Sequence, residues 1–292
     1  MSSRHVVRRA ADADFVAGGD GYAQWSIVDE TVPGAVHTGF GVCTLAPGGS
    51  VRTHVHSFEE SVYVLAGSAV LDTPDGGHLL GEGDYGVVAT GVAHGWRNPG
   101  TEPARWARMQ APQPRGRLGG DSRSLPPLRH EHVRPVDPRD PRNRSFGHIA
   151  PAHMEPGKQS QELLAVSASM RTALLVYSGI TVKMMVDREL GAELSTMFMV
   201  QYEPDGVAGP HDHPFEETYL ILQGATDATF DGETYRLTAG DVAWAGVGCV
   251  HSFTNAGDTP VRWLETQAPQ PPARHSYRFA RDWEYLRSLE DS

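Results

Sequence analysis

Cysteine is nearly absent from this chain: Cys43 and Cys249 are the only 2 in 292 residues. Two thiols cannot build a disulfide framework, so the cores must hold by packing alone. Cys249 precedes His251 by two residues and reads as a small buried side chain. Long apolar runs are missing as well, and no stretch is fit to cross a bilayer as a helix. The start, Met1-Ser2-Ser3-Arg4-His5-Val6-Val7-Arg8-Arg9, lacks the apolar centre of a secretory signal, which leads to an expected cytoplasmic location. Positive charge is in deficit: 25 Lys+Arg against 36 Asp+Glu leave a net charge of −11. Such a surface does not attract nucleic acid or an anionic membrane, and no DNA-reading helix pair is evident. The expected partner is a small molecule, with no nucleic acid and no membrane.

Glycine and proline are plentiful, at 32 and 21 residues, and supply the turns that short-stranded β folds need. The charged fraction of 21% and the hydrophobic fraction of 39% suit a globular protein, and the length allows two ordinary domains.

An internal repeat organises the chain. Pro210-His211-Asp212-His213-Pro214-Phe215-Glu216-Glu217 is echoed by His54-Val55-His56-Ser57-Phe58-Glu59-Glu60. The pairs His54/His211, His56/His213, Glu60/Glu217 and His94/His251 are all 157 residues apart. Laying 47–114 over 204–271 without a gap gives 24 identities in 68 positions. Unrelated sequences would give about 4 at background composition. In a strand, residues i and i+2 share a face, so each His-x-His pair converges and the glutamate four residues on has the same parity. His54, His56, Glu60 and His94 are therefore one candidate metal-ligand set, and His211, His213, Glu217 and His251 the other. Three imidazoles and a carboxylate leave coordination positions open for substrate or water. Each set is expected to hold one divalent transition metal, two per chain. Fe or Mn is favoured, while Ni, Zn, Co and Cu also suit the donors.

Between and around the repeats the pattern changes. Residues 1–35 are a polar lead-in able to supply a strand or cover a barrel end. Eight of the 25 Lys+Arg fall between Arg115 and Arg144, among many prolines, which reads as an extended solvated linker. Asp282 to Leu289, with Trp283, Leu286 and Leu289 three apart, reads as a helix.

Gly48-x5-His54-x-His56-x3-Glu60-x6-Gly67 and Gly83-x7-Gly91-x2-His94-x3-Asn98 resemble the two motifs of the cupin superfamily. The second copy runs His211-x-His213-x3-Glu217-x6-Gly224 and Gly240-x7-Gly248-x2-His251-x3-Asn255. Small departures, Ala89 and Gly246 where a proline is usual, affect turns rather than ligands. The resemblance implies an all-β chain of two tandem jelly-roll (double-stranded β-helix) barrels, a bicupin, with a C-terminal helix. The expected division is an extension at 1–35, barrels at 36–115 and 158–272, a linker at 116–157 and a helix at 273–292. It also implies a homo-oligomer, a dimer.

Parity separates the two pockets. Inward positions give Tyr219 and Phe253 in the second, against Val62 and Trp96 in the first. Arg52 is inward by alternation where the second copy has Gly209. Tyr219 is thus the expected catalytic proton donor, which with the open Gly209 makes the second pocket the expected place of turnover, and Arg52, Trp96 and Phe253 are substrate-binding candidates. The adjacent Glu59 and Glu216 face the other way, as surface charges or partners behind the ligands. The function expected is that of a metal-dependent enzyme of dioxygenase type acting on a small oxygenated or acidic substrate. The alternatives are a hydrolase or isomerase like the bicupin ureidoglycine aminohydrolases, or a non-catalytic bicupin that binds a metal or small ligand.

Overall fold

The computed structural model describes residues 4–116, 120–140, 143, 145–156, 178–270 and 278–279. The chain divides into two compact units, each built on one repeat. Of the C-terminal helix expected at 273–292 only Arg278–Phe279 is described, and it is a short strand paired antiparallel with His211 and Asp212 rather than helix; the rest lies outside the described residues. Among the described residues no helix is long and apolar enough to cross a membrane.

The first unit comprises 12–150 with 185–197. Its seven-stranded sheet centres on Glu59–Ala66, Ala104–Ala111 and Gly39–Leu45, and its six-stranded sheet on Ser50–His56, His94–Arg97 and Ser68–Thr73. Alternate residues of both sheets, among them Leu45, Val62, Val64, Leu71, Leu80 and Trp96, fill one core. This is the jelly-roll arrangement, in which alternation buries one face of every strand. The second unit comprises the described parts of 1–11, 151–184 and 198–292. A single ten-stranded sheet, carrying Thr196–Asp212, Glu216–Gln223, His251–Thr254 and Val261–Ala268, curls around a core that includes Phe198, Tyr219, Phe230, Phe253 and Trp263.

The lead-in contributes strands to both units. His5–Arg8 pairs antiparallel with Val242–Ala245 of the second, whereas Tyr22–Val28 pairs with Gly39–Leu45 of the first. The Pro- and Arg-rich stretch is not simply solvated. Ser122–Ser124 adds an antiparallel strand to Ser50–His56, and Val133–Pro135 lies parallel to Gly76–Gly81. Proline excludes a central strand but is compatible with a sheet edge, where these strands sit.

Two motif residues owe their identity to turns. A side chain at Gly224 (φ 73°) would place its Cβ 2.7 Å from the Pro260 carbonyl, and Gly67 meets the Pro103 carbonyl in the same way. The Asn98 amide donates to the carbonyls of Leu45 (3.0 Å) and Glu102 (2.8 Å) and accepts from Gly100 N (2.9 Å). Asn255 repeats this with Tyr202, Thr259 and Gly257.

Candidate metal centres

In the first unit, His94 is the direct antiparallel register partner of His54, and His56 follows on the same face. The ligand nitrogens of His54, His56 and His94 all lie within 4.8 Å of one another. His54 Nε2 is 2.9 Å from His56 Nε2, and Glu60 Oε2 is 3.7 Å from His56 Nε2. Nitrogens bound at right angles to one ion, at about 2.1 Å each, stand about 3 Å apart, so this spacing fits a shared cation.

The hydrogen-bonding of the rings supports the same fit. His54 Nδ1 donates to the Arg52 carbonyl (2.6 Å) and His94 Nδ1 to the Val92 carbonyl (3.0 Å), while His56 Nδ1 meets Ser122 Oγ (2.6 Å). A carbonyl only accepts, so those Nδ1 atoms carry the proton and Nε2 presents a lone pair to the centre. Burial, then the neighbouring His54 and His94 rings, lowers His56 to about 2, and burial lowers His94. A proton is therefore a poor occupant of the space between the rings. His94 Nε2 and Glu60 Oε2 are buried without a hydrogen-bond partner, as atoms reserved for a cation would be.

The second unit repeats the arrangement more tightly. His211 is the register partner of His251, and the nitrogens of His211, His213 and His251 again fall within 4.8 Å. Glu217 Oε2 is 2.7 Å from His213 Nε2 and 3.2 Å from His251 Nε2. Nδ1 of His211, His213 and His251 donates to the carbonyls of Gly209, Phe215 and Cys249. All three rings are buried, and burial, then His251, holds His211 well below its usual range. Against the upward push of burial, His213 and His251 hold the Glu217 carboxylate well below its range. The donors in both units suit a divalent transition metal.

The units differ one layer beyond the carboxylate. In the first, Glu60 faces Gln110 and Val62 faces Arg108 across neighbouring strands. In the second, Glu217 faces Gln267 and Tyr219 faces Glu265. Arg108 Nη1 lies 3.6 Å from Glu60 Oε2, and its Nη2 donates to Gln24 Oε1 (2.5 Å). Gln24 also receives the Tyr22 hydroxyl (3.0 Å). In the second unit Gln267 Nε2 donates to Glu217 Oε1 (2.6 Å), Tyr219 donates to Glu217 Oε2, and Trp263 Nε1 donates to Glu265 Oε2 (2.9 Å). Burial, then the charge of Glu217, pushes the Glu265 carboxyl well above its usual range.

Arg52 departs from the sequence expectation. Between the pairs His54–His94 and Val51–Trp96, two residues on one strand, Arg52 and Thr53, oppose the single Gly95 on the other. This bulge resets the alternation that put Arg52 inward. Its side chain is 84% exposed and stands 3.8 Å from Asp20. It rims a cavity of about 480 Å³ whose wall includes Tyr22, Ser50, His54, Ser122 and Ser124. Gly209 sits in the matching bulge, and a Cβ there would meet nothing within 4 Å.

Trp96 and Phe253 do point inward, but into the cores. Trp96 stacks on Trp106 at 4.7 Å and Phe253 on Trp263 at 5.3 Å. Tyr219 is 1% exposed with its hydroxyl committed to Glu217. In this geometry the hydroxyl is directed at the carboxylate. Glu59 and Glu216 are buried, not surface charges. Glu59 accepts from Glu193 N (2.7 Å) and Ser195 Oγ (2.6 Å), and Glu216 from Trp244 Nε1 (3.3 Å). Arg108 and Glu265 escaped the reading of single strands. Their signal is an Arg-for-Glu exchange at one repeat position, between the shared Arg-Trp pairs 105–106 and 262–263 and the shared Gln-Ala-Pro-Gln-Pro runs 110–114 and 267–271.

A third group, His5, Asp231 and Cys249, also brings its ligand atoms within 4.8 Å. Arg4 already occupies both Asp231 oxygens, at 2.9 and 2.7 Å, and burial pushes the Cys249 thiol up to about 12. A neutral thiol and a neutralised carboxylate give this group little pull on a second cation.

Comparison with known proteins agrees with this architecture. The family profile described as Cupin domain matches residues 41–109 and again 198–266. Protein SchB of Streptomyces halstedii is 36% identical over 104 residues, covering 35% of this chain and 73% of that protein. Among solved structures, a mutant of Bacillus subtilis oxalate decarboxylase OxdC superposes with a TM-score of 0.66 at 15% identity, covering 100% of this chain and 85% of that one. Another structure of the B. subtilis enzyme, which has Mn(II) centres, gives 0.64 at 17% identity over 100% and 85% of the two chains. At these identities the structural likeness concerns the fold.

Proposed function

The chain belongs to the cupin family, with one cupin domain in each repeat, and on that premise we propose that it is a metal-dependent enzyme acting on a small oxygenated or acidic substrate. The observation that carries the reading is the pair of imidazole groups, each with Nδ1 committed to carbonyls or a hydroxyl and Nε2 turned to a common centre. His54, His56, Glu60 and His94 would hold one divalent ion, and His211, His213, Glu217 and His251 the other. When bound, such an ion supplies Lewis-acid polarisation and open positions for substrate oxygen or dioxygen. Fe or Mn is favoured, and the Mn(II) centres of the structurally similar B. subtilis enzyme support Mn.

Turnover is proposed for the first unit, against the expectation from strand parity that favoured the second, because His54 reaches the wall of a cavity large enough for a small organic acid. There Arg52 at the rim attracts an anion, Ser122 holds the His56 ring in place, and Arg108 balances the Glu60 charge. The reaction favoured is of dioxygenase type. Two cations beside this site, Arg52 and Arg108, favour decarboxylation of a small acid as a second reading, the reaction named for the structural neighbours. The proposal includes an assembly of at least two chains in the cell interior, and light scattering tests the assembly.

The functional test is anaerobic purification, loading with Fe(II) or Mn(II), and incubation with a panel of catechols, diketones, hydroxy acids and dicarboxylates. Oxygen uptake with one substrate supports the dioxygenase reading, and carbon dioxide release without net oxygen uptake supports the second. Metal-loaded protein inert across the panel, yet binding a panel member, would favour a binding protein.

A further inference from the structure

Resting on that reading, we propose that the Arg108-for-Glu265 exchange divides the two metal sites by charge: the first is built to accept a carboxylate substrate, and the second to retain its metal. Both residues take the same place, on the strand beside the ligand carboxylate and one layer away from it. Arg108 is the cross-strand partner of Val62, two residues past Glu60, and Glu265 that of Tyr219, two residues past Glu217. The pairs exchange bulk as well as charge. The short Val62 leaves room for an arginine, and the large Tyr219 stands opposite the shorter glutamate.

The electrostatic consequence follows from the donors. In the first unit Arg108 cancels the single charge of Glu60, so a divalent ion there would keep its full double positive charge toward the cavity. In the second unit the ion-pair partners of Glu217 among the described residues are imidazoles alone, and Glu265 stands where the first unit has its guanidinium, so no fixed cation cancels the Glu217 charge. There a divalent ion would be partly neutralised and better held. Access agrees with charge. The cavity touches His54, and the chain Tyr22 to Gln24 to Arg108 runs from its wall to Glu60. Arg108 Nε is buried without a hydrogen-bond partner, so part of the guanidinium's donor capacity is unspent within the protein. All three rings of the second set are buried, and Tyr219 is locked on its carboxylate. Arg108 thus acts as a specificity determinant through the charge of the site.

The test uses the full chain loaded with Mn(II), titrated calorimetrically with malonate and with its neutral analogue malonamide, while chelator competition reports metal affinity. The parent should bind malonate at one site per chain and malonamide far more weakly. Chelator should strip the first site more readily than the second. Arg108→Gln should weaken malonate about tenfold and tighten Mn(II) at the first site. Arg108→Lys should fall between, and Arg105→Gln, an exposed change on the same strand, should leave both values unaltered. A merely structural arginine would lower both affinities together, so the opposite signs are the decisive readout. Should Arg108→Gln fail to fold, the parent's malonate preference and two-step chelator curve still decide. Equal metal affinities with no preference for malonate would overturn the inference and leave the metal-enzyme reading standing. Failure of Mn(II), and of Fe(II), Ni(II) and Zn(II) in its place, to bind would overturn both.

Discussion

The Arg108 guanidinium lies 3.6 Å from the Glu60 carboxylate, on the strand beside it and one layer beyond the metal-facing histidines. An arginine so close to a carboxylate proposed as a metal ligand would lower that ligand's pull on a cation. At the same time it makes the occupied site more receptive to an anion. The second unit puts a carboxyl in that place, so two sites with the same ligand set acquire different electrostatics.

Acid should destabilise the metal-free protein. His56 is lowered from 6.5 to about 2, and His94 and His211 are lowered too. Below 6.5 the unfolded chain takes up protons that the folded chain refuses, so stability present above that value is lost as pH falls through it. The slope is up to about 1.4 kcal/mol per pH unit for each ring. Glu265, raised above 4.5, works in the opposite sense and is outweighed by three rings on the acid side. Calorimetry of chelator-treated protein should show a Tm maximum near neutrality and a fall toward about pH 5. A Tm that rises on acidification contradicts this.

Tyr219→Phe should loosen the metal of the second unit. The change removes the hydroxyl that donates to Glu217. Loss of such a supporting hydrogen bond costs about tenfold in metal affinity or more. Turnover in metal-saturated protein should stay near the parent rate. Abolished turnover with metal intact would restore the tyrosine to a direct role with substrate.

Asn98→Ala should destabilise the first unit without touching a ligand. It deletes two donated hydrogen bonds and one accepted bond, and leaves the buried Leu45 carbonyl short of a partner. A cost of about 2–3 kcal/mol is expected in urea unfolding. A change within error would mean that the loop Asn98 spans is satisfied by water.

Ser122→Ala should weaken metal binding in the first unit only. Ser122 Oγ is 2.6 Å from His56 Nδ1 and fixes the ring that presents Nε2. Chelator competition should show about a tenfold loss at one of two sites. Equal loss at both would separate the serine from ring orientation.

The converging histidines were legible because period-two alternation and a gap-free repeat are local properties of sequence. His-x-His convergence needs only one strand, and the rings do converge in both units. Arg52 was misdirected because a bulge adds a residue where alternation assumes none, and nothing in Ser50–His56 marks it except its pairing with His94–Arg97. Arg108 was hidden for a related reason. Its importance comes from standing opposite Val62, a cross-strand relation that reading one strand cannot supply. The lead-in and the Pro-rich stretch posed the same difficulty, since an edge strand is defined by its partner. The charge exchange at 108 and 265 is nevertheless written in the alignment of the two repeats.

The most direct test of the account is elemental analysis of the reconstituted parent beside His94→Ala and His251→Ala, each checked for folding by calorimetry. Two metals per parent chain and one per chain in each variant are predicted, because each substitution removes one of three converging imidazoles in one unit only. A parent holding at most one metal per chain after loading with Fe(II) or Mn(II), or a single substitution emptying both units, would contradict it.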